Sequence, residues 1–497
     1  MTHLRFATAS VIAVTIGISA VLYAQTSEYT VTDLGTLDNG GSVTSNHDAT
    51  NVFEVANVAT SKIRVVVNAA KGAHSRIHEI EAWDGGDASS NVASSSRGAK
   101  ATASSTLDAD HPAAAIIDGD RKESSWIDRS PDVFPDWVQV DFEESKNLTR
   151  VFVYAAQDDL TAFDVQYWNG AAWVVLPNIA ESQAFKINDA GVVVGDSGHA
   201  AGAHNKHPFR WQSGTMTALG GFAGSVRWSE GSAASINNAG VVVGASRNPK
   251  TAQQNPYRWT AGAFTDLGTL GTTGTWAYDI NDANPLQIVG TTETDAKRLT
   301  TRAWIYSAAT GMVLIPLLPN GVSSVATAIN NRGHVVGSCK TANSEQHAFR
   351  NVGDVVTDLG TLGGSWSTAQ DINDAGVIVG ASRIDTTTRG QPIHAFVFSA
   401  DNGMRDLGTL GGLHSWAFGI NDANVVVGSA TASSGDERAF VYDAVHGMRD
   451  LNALTSGSGW TLNVARSINN NGQIVGWGLN PAGIRRAFLL TPNRKSQ

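Results

Sequence analysis

From residue 187 onward an Ile-Asn pair recurs, at Ile187, Ile236, Ile280, Ile329, Ile372, Ile420 and Ile468. Successive gaps are 49, 44, 49, 43, 48 and 48 residues. A period in that range constrains the fold more than any other feature of the chain: one supersecondary unit is repeated as a propeller or solenoid. Each unit holds four apolar segments. The first ends at Ile-Asn, the second is VVVG-like, the third carries an aromatic (Phe209, Tyr257, Trp304, Phe349, Phe396, Phe440, Phe488), and the fourth reads Asp-Leu-Gly, blurred at 313–318. Three residues after each Asn stand Gly191, Gly240, Asn284, Gly333, Gly376, Asn424 and Gly472. Gly and Asn tolerate positive φ best, so this place reads as a left-handed turn residue. The Asn before it is expected to bond its own backbone two residues on.

Four strands in each of seven units predict an all-β fold, a seven-bladed β-propeller. The last unit stops without its Asp-Leu-Gly strand, and the one spare copy is near the other end, in YTVTDLGTL from Tyr29 to Leu37. That N-terminal strand is expected to complete the last blade and close the ring. With 16% charged residues, 51 Gly and 13 Pro, the composition suits short strands and tight turns. The formal charge of −10 and the absence of a Lys/Arg block exclude a nucleic-acid partner. Residues 1–24 read as a signal peptide, with a retained signal-anchor as the alternative, and no later apolar run is long enough to span a membrane. The expectation is a secreted or periplasmic monomer. Cys339 is the single cysteine and reads as a buried structural thiol.

Asp189, Asp282, Asp374 and Asp422 follow the turn Asn, but Asn238, Asn331 and Asn470 hold the same place, which favours turn chemistry over calcium. His347 and His394 are replaced by Pro or Arg in other copies and read as strand-edge residues. The pattern HAF…DLGTLGG…IN..G.VVG resembles the bacterial extracellular HAF-repeat family over about 350 residues, 29–41 and then 182–492. The resemblance implies export and a β-rich repeat, and it brings no catalytic residues.

Between 42 and 181 the repeat is interrupted. The order ATASST, DGDRKESSW, DWVQVDF and VQYWNGAAWVV resembles the coagulation-factor type C, or discoidin-like, galactose-binding jelly roll. The strands expected last in that family resemble KIRVVVNAAKGAHSRIHEIEAW, which here comes first, at Lys62 to Trp83. The insert therefore reads as a circularly permuted β-sandwich, and two truncated copies are the alternative. The resemblance implies a structural calcium held by Asp118, Asp120, Ser124 and Glu79, with a solvated acidic loop as the alternative. His74, Arg76, Arg129 and Phe134 are candidate contacts to a saccharide. Trp126, Trp137, Trp168 and Trp173 read as strand core.

The domain plan is then signal peptide 1–24, closing strand 25–41, inserted jelly roll 42–181 and repeats 182–497. No GxSxG, HExxH, CxxC or P-loop occurs. The expected function is a non-catalytic binding or adhesion protein whose jelly roll recognises a saccharide or cell-surface glycan. The alternative is a polysaccharide-active enzyme, a glycosidase or lyase, built on the propeller.

Overall fold

The computed structural model describes residues 27–36, 42–43, 50–84, 91–155, 159–176, 181–198, 206–222, 231–270, 274–295, 300–385 and 391–493. Among them are seven antiparallel four-stranded sheets, each made of strands consecutive in sequence except the last. In chain order they are blade 1 (182–218), blade 2 (231–266), blade 3 (275–314), blade 4 (321–358), blade 5 (367–406), blade 6 (411–450) and blade 7 (461–492). The first strand of each blade lies beside the first strands of its neighbours, so these strands form the inner wall of a propeller.

The Ile-Asn pair explains why the units form a ring. Each Asn uses both ends of its amide. Asn188 Oδ1 accepts from Val192 N–H across its own turn, and Asn188 Nδ2 donates to the backbone oxygen of Asn237 in the next blade. The donation passes from Asn237 to Asn281, Asn330, Asn373, Asn421 and Asn469, and Asn469 returns it to Asn188, at 3.0–3.2 Å throughout. The expected turn bond thus runs mainly to the fourth residue on, and the bond between blades is one the pattern alone did not disclose.

The turn residue is left-handed at Gly191, Gly240, Gly333, Gly376, Gly472 and Asn424. Asn284 departs from the expectation. Its turn is two residues longer, so Asn281 Oδ1 accepts from Gln287 instead of the fourth residue on, and Asn284 precedes Pro285.

One residue before the Ile, every inner strand carries a register shift against its neighbour, as between Ala369 and Asp371 in blade 5. The shift explains the glycine of the VVVG segment. A Cβ on Gly380 would lie 2.0 Å from Thr368 O and 2.9 Å from the Phe396 ring. Its six counterparts meet the matching carbonyl at 1.9–2.0 Å, so space and not φ demands glycine there. The third-strand aromatics fill the gaps between blades and are at most 1% exposed. Burial of each such ring contributes about 1.5–3 kcal/mol. The Asp-Leu-Gly signature is an Asx-type turn: Asp358 Oδ1 accepts from Gly360 N–H, Asp406 Oδ1 from Gly408 N–H, and the Leu between is buried. The histidines of HAF pair with the same aspartates, His347 with Asp358 at 2.7 Å and His394 with Asp406 at 2.8 Å. Cys339 is 1% exposed and packs with Phe349 and Ala326.

Blade 7 takes its outer strand from the far end of the chain. Tyr29–Asp33 pairs antiparallel with Arg485–Pro492, from Tyr29 opposite Pro492 to Asp33 opposite Phe488. Leu34 follows, buried with Ala184 and Phe209 of blade 1. Leu37 lies outside the described residues.

The insert has a separate core. Thr50–Ala70 and Asp136–Tyr154 run antiparallel and shift register near their middles. The first half of one meets the second half of the other, with Glu79–Asp84 alongside. Their remaining halves pair with each other, with Leu160–Trp168 beyond one and Lys100–Ala103 beyond the other. Phe53, Ile63, Val65, Trp126, Val140 and Phe163 pack in one cluster between these layers. Ile63 to Val67 is therefore bonded on both sides to strands that come later in the sequence, and Lys62 on one. Of the four tryptophans expected in the core, Trp126 is fully buried, whereas Trp137, Trp168 and Trp173 are half-buried. Trp168 and Trp173 meet edge-to-face on an outer hairpin with Arg64 over Trp173, because Trp173–Val175 is the last strand of its layer.

Removal of Tyr29–Asp33 leaves the apolar edge of Ala487 to Leu490 unpaired. We expect aggregation or a fall in melting temperature of many degrees by differential scanning calorimetry. A monomeric variant that melts as the full chain does would refute closure by this strand.

Candidate functional site

Three loops meet at one end of the insert. Asp132 N–H donates to Ala73 O, and Asp128 N–H to Ser75 O. Arg129 N–H donates to Ser105 Oγ. Beneath them, Ser75 N–H and Oγ donate to Asp128 and to Asp136, both buried carboxylates. Burial pushes the Asp136 carboxyl above the usual range. His74 Nδ1 stands 2.9 Å from Asp128 O. This network gathers His74, Arg129 and Phe134 on one end, with Arg129 exposed and Phe134 half-buried against the core. Arg76 opens the two-residue strand Arg76–Ile77 opposite Ile127. The pairing leaves its side chain near Asp159, 4.0 Å away.

The acidic turn is tied to Glu79. Gly119 N–H donates to Glu79 Oε2 at 3.3 Å, and Ser124 Oγ donates to Asp118 Oδ2 at 2.8 Å. Glu79 is fully buried and its Oε1 has no partner. Burial first, with Asp118 and Glu81 adding to it, pushes the Glu79 carboxyl up to about 8. Asp120 serves the turn: its carboxylate accepts from the N–H groups of Lys122, Glu123 and Ser124, which hold it below the usual range. Among the described residues no three His, Cys, Asp or Glu side chains gather into a metal-holding group. Glu79, Asp118 and Ser124 are nonetheless hard oxygen donors around an orphaned buried oxygen, which suits calcium. Asp118 and Asp120 both accept hydrogen bonds within the turn, Asp118 from Asp120 N–H and Ser124 Oγ, and Asp120 from three backbone N–H groups.

A second place escaped the sequence reading. The seven Ile-Asn turns surround a cavity of about 140 Å³ that contains Lys186, Asp279 and Asp371. Lys186 Nζ lies 3.7 Å from Asp279 and 3.6 Å from Asp371, and these come from blades 1, 3 and 5. Burial would lower the Lys186 pKa, but the two carboxylates outweigh it and hold the ammonium above its ordinary value. Burial raises Asp371, with Lys186 opposing. The two acids also bind blades together, since Asp279 accepts from Ser235 Oγ and Ile329 N–H, and Asp371 from Ile420 N–H. All three residues directly precede the Ile. That place reads Lys, Ser, Asp, Ala, Asp, Gly, Ser around the ring, an irregularity that would have marked it.

Residues 100–194 match the F5/8 type C domain family. The matched range covers the later strands of the insert and runs on into blade 1. It omits 62–83, which lie out of linear order for strands that pair with 136–168. Residues 411–482 match a family described only as a protein of unknown function, DUF3466. No curated protein matches the sequence.

Solved structures similar to this chain include TolB from Acinetobacter baumannii (12% identity, TM-score 0.32, 51% of this chain and 63% of that one). A puromycin hydrolase is another, at 11% identity and TM-score 0.43, with 62% of this chain and 51% of that one covered. XC5397 from Xanthomonas campestris, a gluconolactonase, aligns at 8% identity and TM-score 0.32 over 65% of this chain and 91% of its own. The chain thus spans less than two thirds of TolB and about half of the hydrolase. Likeness at this level says nothing of chemistry.

Lys186→Met leaves two buried carboxylates without their cation. We expect a loss of about 3–5 kcal/mol at neutral pH. The loss shrinks as pH falls, because the Asp371 carboxyl, raised by burial, takes up a proton and its desolvation is relieved. Urea unfolding of wild type and variant at several pH values measures it, and a pH-independent difference would contradict the assignment.

Proposed function

We propose that this chain is an extracellular or periplasmic saccharide-binding protein. In this reading the F5/8 type C-like insert recognises the sugar at its loop end, and the HAF-type propeller carries it. The observation that supports it most is the tied loop end on a domain matched to the F5/8 type C family, where exposed Arg129 and half-buried Phe134 flank His74. A guanidinium supplies fixed donors to hydroxyl oxygens, and an aromatic ring covers the apolar face of a sugar. Among the described residues no helix is long and apolar enough to cross a membrane.

A glycan array probed with the full chain tests this. Binding should be insensitive to salt for a neutral glycan, and Arg129→Ala should weaken it about ten-fold, the loss of one charge-assisted hydrogen bond. No binding to any glycan, or binding unchanged by Arg129→Ala and Phe134→Ala, would overturn the reading. A turnover screen on the same polysaccharides addresses the enzyme alternative. Product release abolished by Asp279→Asn would favour it, since Asp279 and Asp371 are paired carboxylates in one cavity.

Calcium is proposed beside the Asp118 turn, with Glu79, Asp118 and Ser124 as side-chain donors. Without a cation, the raised Glu79 pKa keeps this group protonated at neutral pH in the folded chain. Its contribution to stability then falls as pH rises from about 4.5 to about 8. Calcium would replace that proton, so its stabilising effect should grow with pH through this window. We expect calcium to raise the melting temperature more at pH 8.5 than at pH 6, as set by the folded pKa of about 8. Glu79→Gln should remove both the rise and its pH dependence. A calcium effect that survives Glu79→Gln would place the ion elsewhere.

A further inference from the structure

The inner strand of blade 6, Gly411–Ile420, carries His414 and Trp416 ahead of its Ile-Asn end. They line a cavity of about 300 Å³ together with Ile393 of blade 5 and Ser429, Thr431 and Glu437 of blade 6. That volume is the lower end of small-molecule sites and suits one ring with its substituents. No other unit has a His and a Trp at these two places: blade 3 has Gly274 and Trp276, and blade 5 has Trp366 and Thr368.

The lining is held in place before any ligand arrives. Trp366 meets the Trp416 ring edge-to-face at 5.3 Å, and Phe418 lies nearly parallel to it at 6.4 Å. His414 N–H donates to Thr431 Oγ1, which donates back to His414 O. Ile393 N–H donates to His414 Nδ1 at 3.2 Å. A nitrogen that accepts this bond carries no proton, so the ring proton is on Nε2 and available as a donor. Glu437 is exposed and offers carboxylate acceptors, and its backbone oxygen accepts from Asn463 Nδ2. Asn463 Oδ1 beside it is buried with no partner.

We propose that this cavity binds a single hydroxylated ring, one monosaccharide unit of a glycan. The indole would cover the apolar face of such a ring, while hydroxyls, which both donate and accept, would answer His414 Nε2–H and the Glu437 carboxylate. A plain aromatic or alkyl ligand would leave those polar groups desolvated and unpaired. Phosphates and carboxylates are disfavoured because, among the described residues, no Lys or Arg lines the cavity and Glu437 does. An amine is disfavoured because the Arg466 guanidinium, stacked 4.5 Å over Phe418, already interacts with the Glu437 carboxylate and competes for it. The propeller is then a second recognition site, independent of the insert.

The test uses the full chain labelled with 5-fluorotryptophan and read by fluorine NMR. The resonance of Trp416 is assigned through Trp416→Phe. D-glucose, D-galactose and N-acetyl-D-glucosamine are titrated separately, with methylammonium as the amine probe. The expected result is a saturable shift of the Trp416 resonance with at least one sugar. Glu437→Gln, at an exposed position that leaves the fold intact, should weaken it about ten-fold. Shifts confined to the tryptophans of the insert would overturn this proposal while supporting the insert reading, and the converse pattern would do the opposite. No shift with any of the three sugars, a shift unchanged by Glu437→Gln, or a Trp416 response to methylammonium alone would each overturn it.

Discussion

The propeller depends on an asparagine amide that works in two directions. Oδ1 closes the turn of its own blade, and Nδ2 reaches the backbone of the next, seven times around to the start. Asp would lose the donor, and Gln would place both groups one methylene too far. A parallel set of bonds lies outside it, where the N–H after each Asn donates to the Asp or Asn side chain of the following blade at 2.7–3.0 Å. Because the inner circle is built from neutral amides, it avoids the desolvation cost that a buried circle of ions would carry.

With the turns held in this way, the remaining repeated residues follow from close packing. The register shift before each Ile brings a carbonyl against the second strand, and only glycine leaves room for it. The aromatic of the third strand then covers that glycine, with Phe396 against Gly380 as one example. Positions outside this set are free to vary, and the distinctive chemistry collects there. Lys186, Asp279 and Asp371 share one such place, and His414 and Trp416 occupy two others.

Closure by Tyr29–Asp33 explains how a separate sandwich can sit early in the chain. The chain completes blade 7, passes Leu34 into the seam with blade 1, and enters blade 1 itself only at Ser182. The sandwich folds around two long strands whose halves belong to different layers, which gives it a core separate from that of the ring. Its buried Glu79 is the clearest tension in that core, since Oε1 has no donor.

Sequence alone determined the repeat, its strand content, the role of Tyr29–Asp33 and the pairing of Lys62 to Val67 with later strands. These are periodic or pattern-level properties, and each rests on residues whose local conformation permits few alternatives: Gly or Asn at positive φ, Asp in an Asx turn, alternating apolar residues. Tertiary structure decided what links one unit to the next. The donation from Asn188 to Asn237 joins residues 49 apart, and no local preference reveals it. It also decided which side chains share a cavity, because Lys186, Asp279 and Asp371 meet only when the ring closes. The Asp118 turn shows both limits. Its residues were legible, yet only the folded geometry shows that Asp120 is engaged by its own backbone while Glu79 retains an unmatched oxygen.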